Sequence, residues 1–142
     1  MLSDEVIDKY RRAGWIAKNT IDYAIRVAKP GVKLLDLAVL IENKIVELGG
    51  SPAFPVNLCV NDIAAHYTPV VNDDKTIPEN SVLKIDIGVH VDGYIADTAV
   101  TISFNPVYDG LVEASRKALE KVLEIIKPGI RVSVIGKIIE ET

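Results

Sequence analysis

A chain of 142 residues that is 49% hydrophobic and 25% charged, with a formal net charge of −4, has the profile of a folded globular protein. Such a length buries about two-thirds of the unfolded surface, and the acidic balance argues against a general nucleic-acid binder. No segment approaches the run of about 18 apolar residues that would span a membrane; the single Cys59 and the signal-free opening MLSDEVIDKYRR point to a reducing cytoplasm.

Apolar residues at Val6, Ile7, Tyr10, Ala13, Ile16, Ala17, Ile21, Ala24, Ile25 and Val27 recur at helical spacing. Residues 4–28 therefore read as a helix, closed by Pro30-Gly31. A second helix runs from about Asp36 to Leu48 and ends at Gly49-Gly50. The stretch SPAFPVNLCVNDIAAHYTPVV, residues 51–71, is punctuated by proline and reads as short strand mixed with loop. Cys59, flanked there by apolar residues, reads as a buried, inert thiol. NDDKTIPENS, residues 72–81, is a polar loop.

LKIDIGVHVDGYIADTAVTI, residues 83–102, reads as a β-hairpin. Asp92-Gly93 suits a type I′ loop, because both central residues need positive φ. Val91 then faces Tyr94, Gly88 faces Asp97 and Asp86 faces Ala99. Side chains alternate along a strand, so Asp86 and Asp97 share a face as diagonal neighbours, their Cα atoms roughly 7–8 Å apart, with Gly88 leaving room between them. Aspartate is depleted from strand interiors, and carboxylates this close raise one another's pKa unless a cation intervenes. The only nearby lysine, Lys84, opens the strand. Two readings stay open on the hairpin alone. The pair either holds a divalent cation, Mn, Fe, Co or a harder ion, or faces water at a sheet edge.

A third helix runs from about Tyr108 to Ile126, and the chain then repeats itself. VAKPGVKLLDLAVLIE, residues 27–42, resembles IIKPGIRVSVIGKIIE, residues 125–140, with Lys29, Pro30, Gly31 and Glu42 matching Lys127, Pro128, Gly129 and Glu140. This implies an internal duplication, with a first unit over 1–106 and the truncated start of a second over 107–142. The first copy continues past Glu42 into a sheet, so the chain reads as the first half of a duplicated protein.

PAFPVNLCVNDIAAHYTP, followed by LKIDIGVHVDGYIADTAVT, resembles the methionine aminopeptidases, and AAHYTP resembles their type-two branch of archaea and eukaryotes. The resemblance covers nearly the whole chain. It implies an α/β (α+β) chain of the pita-bread, or creatinase/aminopeptidase, fold: two halves related by pseudo-twofold symmetry around a two-metal centre. Here the first half would be present, with helices packed on an antiparallel-rich sheet. It implies two divalent metal ions (cobalt, manganese, iron or zinc) with Asp86 and Asp97 as ligands, Asp97 bridging both. A water acidified by those metals would attack the peptide carbonyl after an N-terminal methionine. The family's other ligands, one His and two Glu, are expected beyond Thr142. Glu140 and Glu141 read as a solvated helix face, so the chain is expected to carry half a metal site and to be inactive alone.

His66 matches the motif histidine that donates a hydrogen bond near the substrate carbonyl or scissile nitrogen, and that fumagillin-type epoxides alkylate. An imidazole can donate while staying neutral near pH 7. Phe54, with Pro55, matches residues that wall the methionine pocket. His90 shares the aspartate face by parity but matches no ligand.

The activity implied is removal of the initiator methionine from nascent polypeptides whose second residue is small. It would take place in the cytoplasm, with the ribosome as an expected partner and with no membrane and no specific nucleic acid. A non-catalytic pita-bread module that binds ribosomes, RNA or histones is the alternative; retention of both aspartates and His66 argues against it. A proline-specific relative is disfavoured by AAHYTP and by the lack of a preceding domain. A chain ending at Thr142 is expected to self-associate through its exposed active-site face.

Overall fold

The computed structural model describes residues 2–142, which fall into two compact units divided between Phe104 and Asn105. In the first, helix α1 (Asp4–Val27) begins where the Ser3 hydroxyl accepts the Val6 N–H at 3.4 Å. Asp4 and Glu5 add negative charge to its first turn, which suits the positive end of the helix dipole. Helix α2 (Leu34–Glu47) starts two residues before the expected Asp36, because Leu34 already belongs to its apolar stripe. The Arg12 guanidinium of α1 donates to the Leu48 carbonyl at 2.8 Å, satisfying a terminal acceptor of α2.

Three strands follow, β1 (Ser51–Val60), β2 (Val82–Val91) and β3 (Tyr94–Ser103), forming an antiparallel sheet in the order β1-β2-β3. The stretch 51–71, expected to mix short strand with loop, is one ten-residue strand over Ser51–Val60 followed by loop, so the strand is longer than expected. Pro52 and Pro55 are tolerated because β1 is an edge strand among the described residues, with irregularities between Pro52 and Phe54 and between Phe54 and Asn57. The β2–β3 hairpin has the expected register throughout, with Asp92 at φ 51° and Gly93 at φ 84° in its turn.

The core lies on one face of the sheet. Leu83, Ile85, Ile87 and Val89 of β2 and Val56 and Leu58 of β1 pack against Ile16 of α1 and Leu37, Ile41 and Ile45 of α2. Asp86, Gly88 and Asp97 are thereby turned to the opposite face. Ile85 has no exposed surface, so Ile85→Ala is expected to destabilise the first unit by about 2–5 kcal/mol in urea denaturation. A loss below about 1 kcal/mol would show that the helices do not depend on this face of β2.

In the second unit a 3-10 turn (Pro106–Tyr108) leads into α3 (Asp109–Ile125) and α4 (Val132–Glu140). Two backbone hydrogen bonds of the α1–α2 turn recur in the α3–α4 turn. Ala28 N–H donates to the Ala24 carbonyl as Ile126 donates to Val122, and Val32 donates to Lys29 as Ile130 donates to Lys127. Gly31 and Gly129 occupy the same left-handed conformation, at φ 86° and 85°, where a Cβ would be strained. Among the described residues no helix is long and apolar enough to cross a membrane.

Candidate metal centre

The hairpin register sets Asp97 opposite Gly88 and Asp86 opposite Ala99. On the other side of β2, Phe54 lies opposite Gly88 and Asn57 opposite Asp86. Between these two pairs β1 advances three residues while β2 advances two. Simple alternation would turn Phe54 and Asn57 to opposite faces; the extra residue brings both to the aspartate face. Phe54, Pro55, Asn57, His66, Asp86 and Asp97 together line a cleft of about 310 Å³. All four residues singled out in the sequence are thus brought together. The space at Gly88 is not left between the carboxylates as expected. A Cβ there would overlap the Phe54 ring, so the glycine makes room for Phe54.

No lysine or arginine lines the cleft. Lys84, on the same face, donates instead to the Asn61 carbonyl at 2.6 Å. Asp97 is held above the usual carboxylate range, first by partial loss of hydration, then by the charge of Asp86 and a hydrogen bond with it. Asp97 is exposed as a residue, so desolvation acts on a group that still meets water. Asp86 is oriented from behind: the Asn57 amide donates to its Oδ2 at 3.4 Å, and the Asn57 oxygen accepts from the Thr68 hydroxyl at 2.8 Å. Asn57 is buried, and those two bonds fix which way its amide points. Sequence reasoning passed over Asn57; its signal was a polar residue inside the apolar run VNLCV, the same anomaly that marks the aspartates.

His66 enters the cleft from the loop after β1, in a left-handed conformation with φ 64°. Its neighbours hold it there. The Tyr67 N–H donates to the buried Cys59 sulfur at 3.4 Å, and the Tyr67 carbonyl accepts from Leu58 N–H at 2.8 Å. The Tyr67 hydroxyl donates to Asp73 and accepts from Lys75 Nζ at 2.8 Å. Asp73 is pushed below the ordinary carboxylate range, chiefly by that hydroxyl and then by the Lys75 backbone N–H. These bonds offset a backbone conformation that costs a non-glycine residue about 1 kcal/mol. His90 lies outside the cleft lining, with its Nδ1 accepting the Gly93 N–H at 3.2 Å beside the hairpin turn. Glu140 and Glu141 are exposed in the second unit, Glu141 beside Lys137 at 3.6 Å.

Two carboxylates that line one cleft without cationic side chains suit a divalent cation of the oxygen-seeking kind. They supply only part of a coordination sphere: among the described residues no group of three His, Cys, Asp or Glu converges.

The chain matches metallopeptidase family M24 over residues 8–142 and belongs to that family, which implies divalent metal ions. The methionine aminopeptidase of Pyrococcus abyssi is 53% identical over 135 residues, covering 95% of this chain and 46% of that protein. The chain thus spans about half the length of the relatives it matches. A methionine aminopeptidase from Thermotoga maritima has a similar structure, with TM-score 0.91 at 26% identity over 99% of this chain and 60% of that one. An X-Pro aminopeptidase from the same organism has TM-score 0.84 at 20% identity over 99% of this chain and 41% of that one, a likeness of fold alone. The mixed α/β architecture is the pita-bread fold of this family.

Proposed function

We propose that this chain contributes one side of the active site of a type-two methionine aminopeptidase, which removes the N-terminal methionine of new polypeptides in the cytoplasm. The observation that carries this reading is the convergence of Phe54, His66, Asp86 and Asp97 on one cleft. Asp86 and Asp97 would hold the divalent metal, cobalt, manganese, iron or zinc. Bound there, the metal would supply Lewis acidity to the peptide carbonyl and to water. The chain's own residues do the rest. Asn57 holds the Asp86 carboxylate in place, and His66 donates a hydrogen bond to the scissile peptide unit. Phe54 offers an apolar wall to the unbranched methionine side chain. The matching turns of α1–α2 and α3–α4 support an internal duplication, with units 1–106 and 107–142. Two carboxylates do not complete a metal site, so turnover needs ligands from a longer chain or from a second polypeptide.

The test joins residues 1–142 to the part of the Pyrococcus abyssi relative that lies beyond the matched region. Release of methionine from Met-Ala-Ser by this chimera, dependent on Mn²⁺ or Co²⁺, is expected, with none from the 142-residue chain alone. A folded, metal-binding chimera that leaves Met-Ala-Ser intact would refute the reading.

A further inference from the structure

The bulge that delivers Phe54 and Asn57 to the cleft has a support on the other side of the sheet. Val56 sits inside it, between Phe54 opposite Gly88 and Asn57 opposite Asp86. A bulge leaves a backbone group without its ladder partner, and Val56 has no exposed surface, so its N–H cannot turn freely to water. The Glu42 carboxylate accepts that N–H at 3.2 Å. Glu42 belongs to α2, which packs on the face opposite the cleft, and follows Ile41, a fully buried core residue. Its backbone is therefore anchored in the core while its carboxylate meets the strand at the irregular step. Glu42 also recurs as Glu140 in the second copy of the repeat, each eleven residues after the glycine of Lys-Pro-Gly.

We infer that Glu42 is a positioning residue for the cleft: its hydrogen bond to Val56 N–H fixes the β1 bulge, and through it the placement of Phe54 and Asn57. This rests on the proposed function only for its consequence, namely that Phe54 walls the methionine side chain and Asn57 steadies Asp86. The placement itself is a property of the metal-free chain.

The test uses two substitutions of the 142-residue chain, Glu42→Leu, which removes the acceptor at similar volume, and Glu42→Gln, which keeps an oxygen able to accept. In Glu42→Leu the Val56 amide is expected to exchange with solvent about tenfold faster. The nuclear Overhauser contact between the Phe54 ring and the Gly88 Hα should disappear, while the Ile85 and Ile87 amides keep their protection. Glu42→Gln should restore both signals. In the chimera, KM for Met-Ala-Ser should rise severalfold in Glu42→Leu, more than kcat falls, and return with Glu42→Gln. An unchanged Phe54–Gly88 contact in Glu42→Leu would overturn the inference. If Glu42→Leu does not fold, a folded Glu42→Gln chain whose Val56 amide is unprotected would overturn it equally. These contacts are read without turnover, so an inactive wild-type chimera refutes the proposed function and leaves the role of Glu42 to be decided by the exchange and contact data.

Discussion

Replacing Asp97 by Asn is expected to move metal-free stability and metal response in opposite directions. Asp97 is held above the ordinary carboxylate value by partial desolvation and by Asp86. A carboxyl whose folded-state pKa is raised keeps its proton longer in the folded chain than in the unfolded one. Folding stability then falls as pH rises from the ordinary carboxylate value through the raised one. At pH 7 the ionised Asp97 therefore costs the metal-free chain stability, and Asn removes that cost. Metal-free Asp97→Asn should unfold at higher urea than wild type at pH 7, with the gap closing near pH 3, where Asp97 is protonated in both the folded and the unfolded chain. Added Mn²⁺ should reverse the ranking. A cation that binds only the folded state stabilises by about 2.7 kcal/mol at a hundredfold excess over Kd, and the variant should lose at least about a hundredfold in affinity. Urea melts at the two pH values, with and without Mn²⁺, check both halves. A variant less stable than wild type in metal-free buffer at pH 7 would remove the case that desolvation and Asp86 make the ionised Asp97 unfavourable, and an equal gain from Mn²⁺ would remove the case for Asp97 as a ligand.

The hairpin was the part of the molecule most fully legible in the sequence, and the reason is local. Asp92-Gly93 selects the turn, the turn fixes the register, and the register puts Asp86 and Asp97 on one face without reference to the rest of the chain. Helix α1 was legible from apolar spacing, since its buried residues recur at three and four, and α2 from the Gly49-Gly50 that ends it. β1 was not legible. Its two prolines argue against a strand, and its bulge breaks the alternation from which faces are read, so Phe54 and Asn57 could not be placed together by parity. His66 was reached only through the AAHYTP resemblance. What holds it is a set of bonds between loop residues and β1, Tyr67 to Cys59 and Leu58 on one side and to Asp73 and Lys75 on the other, which no periodicity encodes. The same holds for Glu42: a glutamate on an amphipathic helix reads as solvated until the strand amide it meets is known.

Gly88→Ala should be among the most damaging single-methyl additions to the first unit. Glycine in the middle of a central strand is unfavourable by propensity, so its presence there signals a close approach. The approach is that of Phe54: an added Cβ would overlap ring atoms Cε1 and Cδ1 and stand 3.0 Å from Ala53 Cβ. The β2 backbone is paired on both sides and cannot retreat, so the ring must swing out of the cleft. The expected cost is about 1–3 kcal/mol, the range for overpacking in a closed site. Phe54→Ala removes the clashing ring, so Gly88→Ala should cost far less in that background. The coupling between the two changes should then be about 0.5–3 kcal/mol in urea denaturation of the wild type, both single variants and the double variant. In the chimera, Gly88→Ala should raise KM for Met-Ala-Ser with a smaller change in kcat, because the carboxylates stay in register while the apolar wall moves. Strict additivity would mean that the ring does not rest on Gly88, and the glycine would then be explained by the approach of a substrate backbone instead.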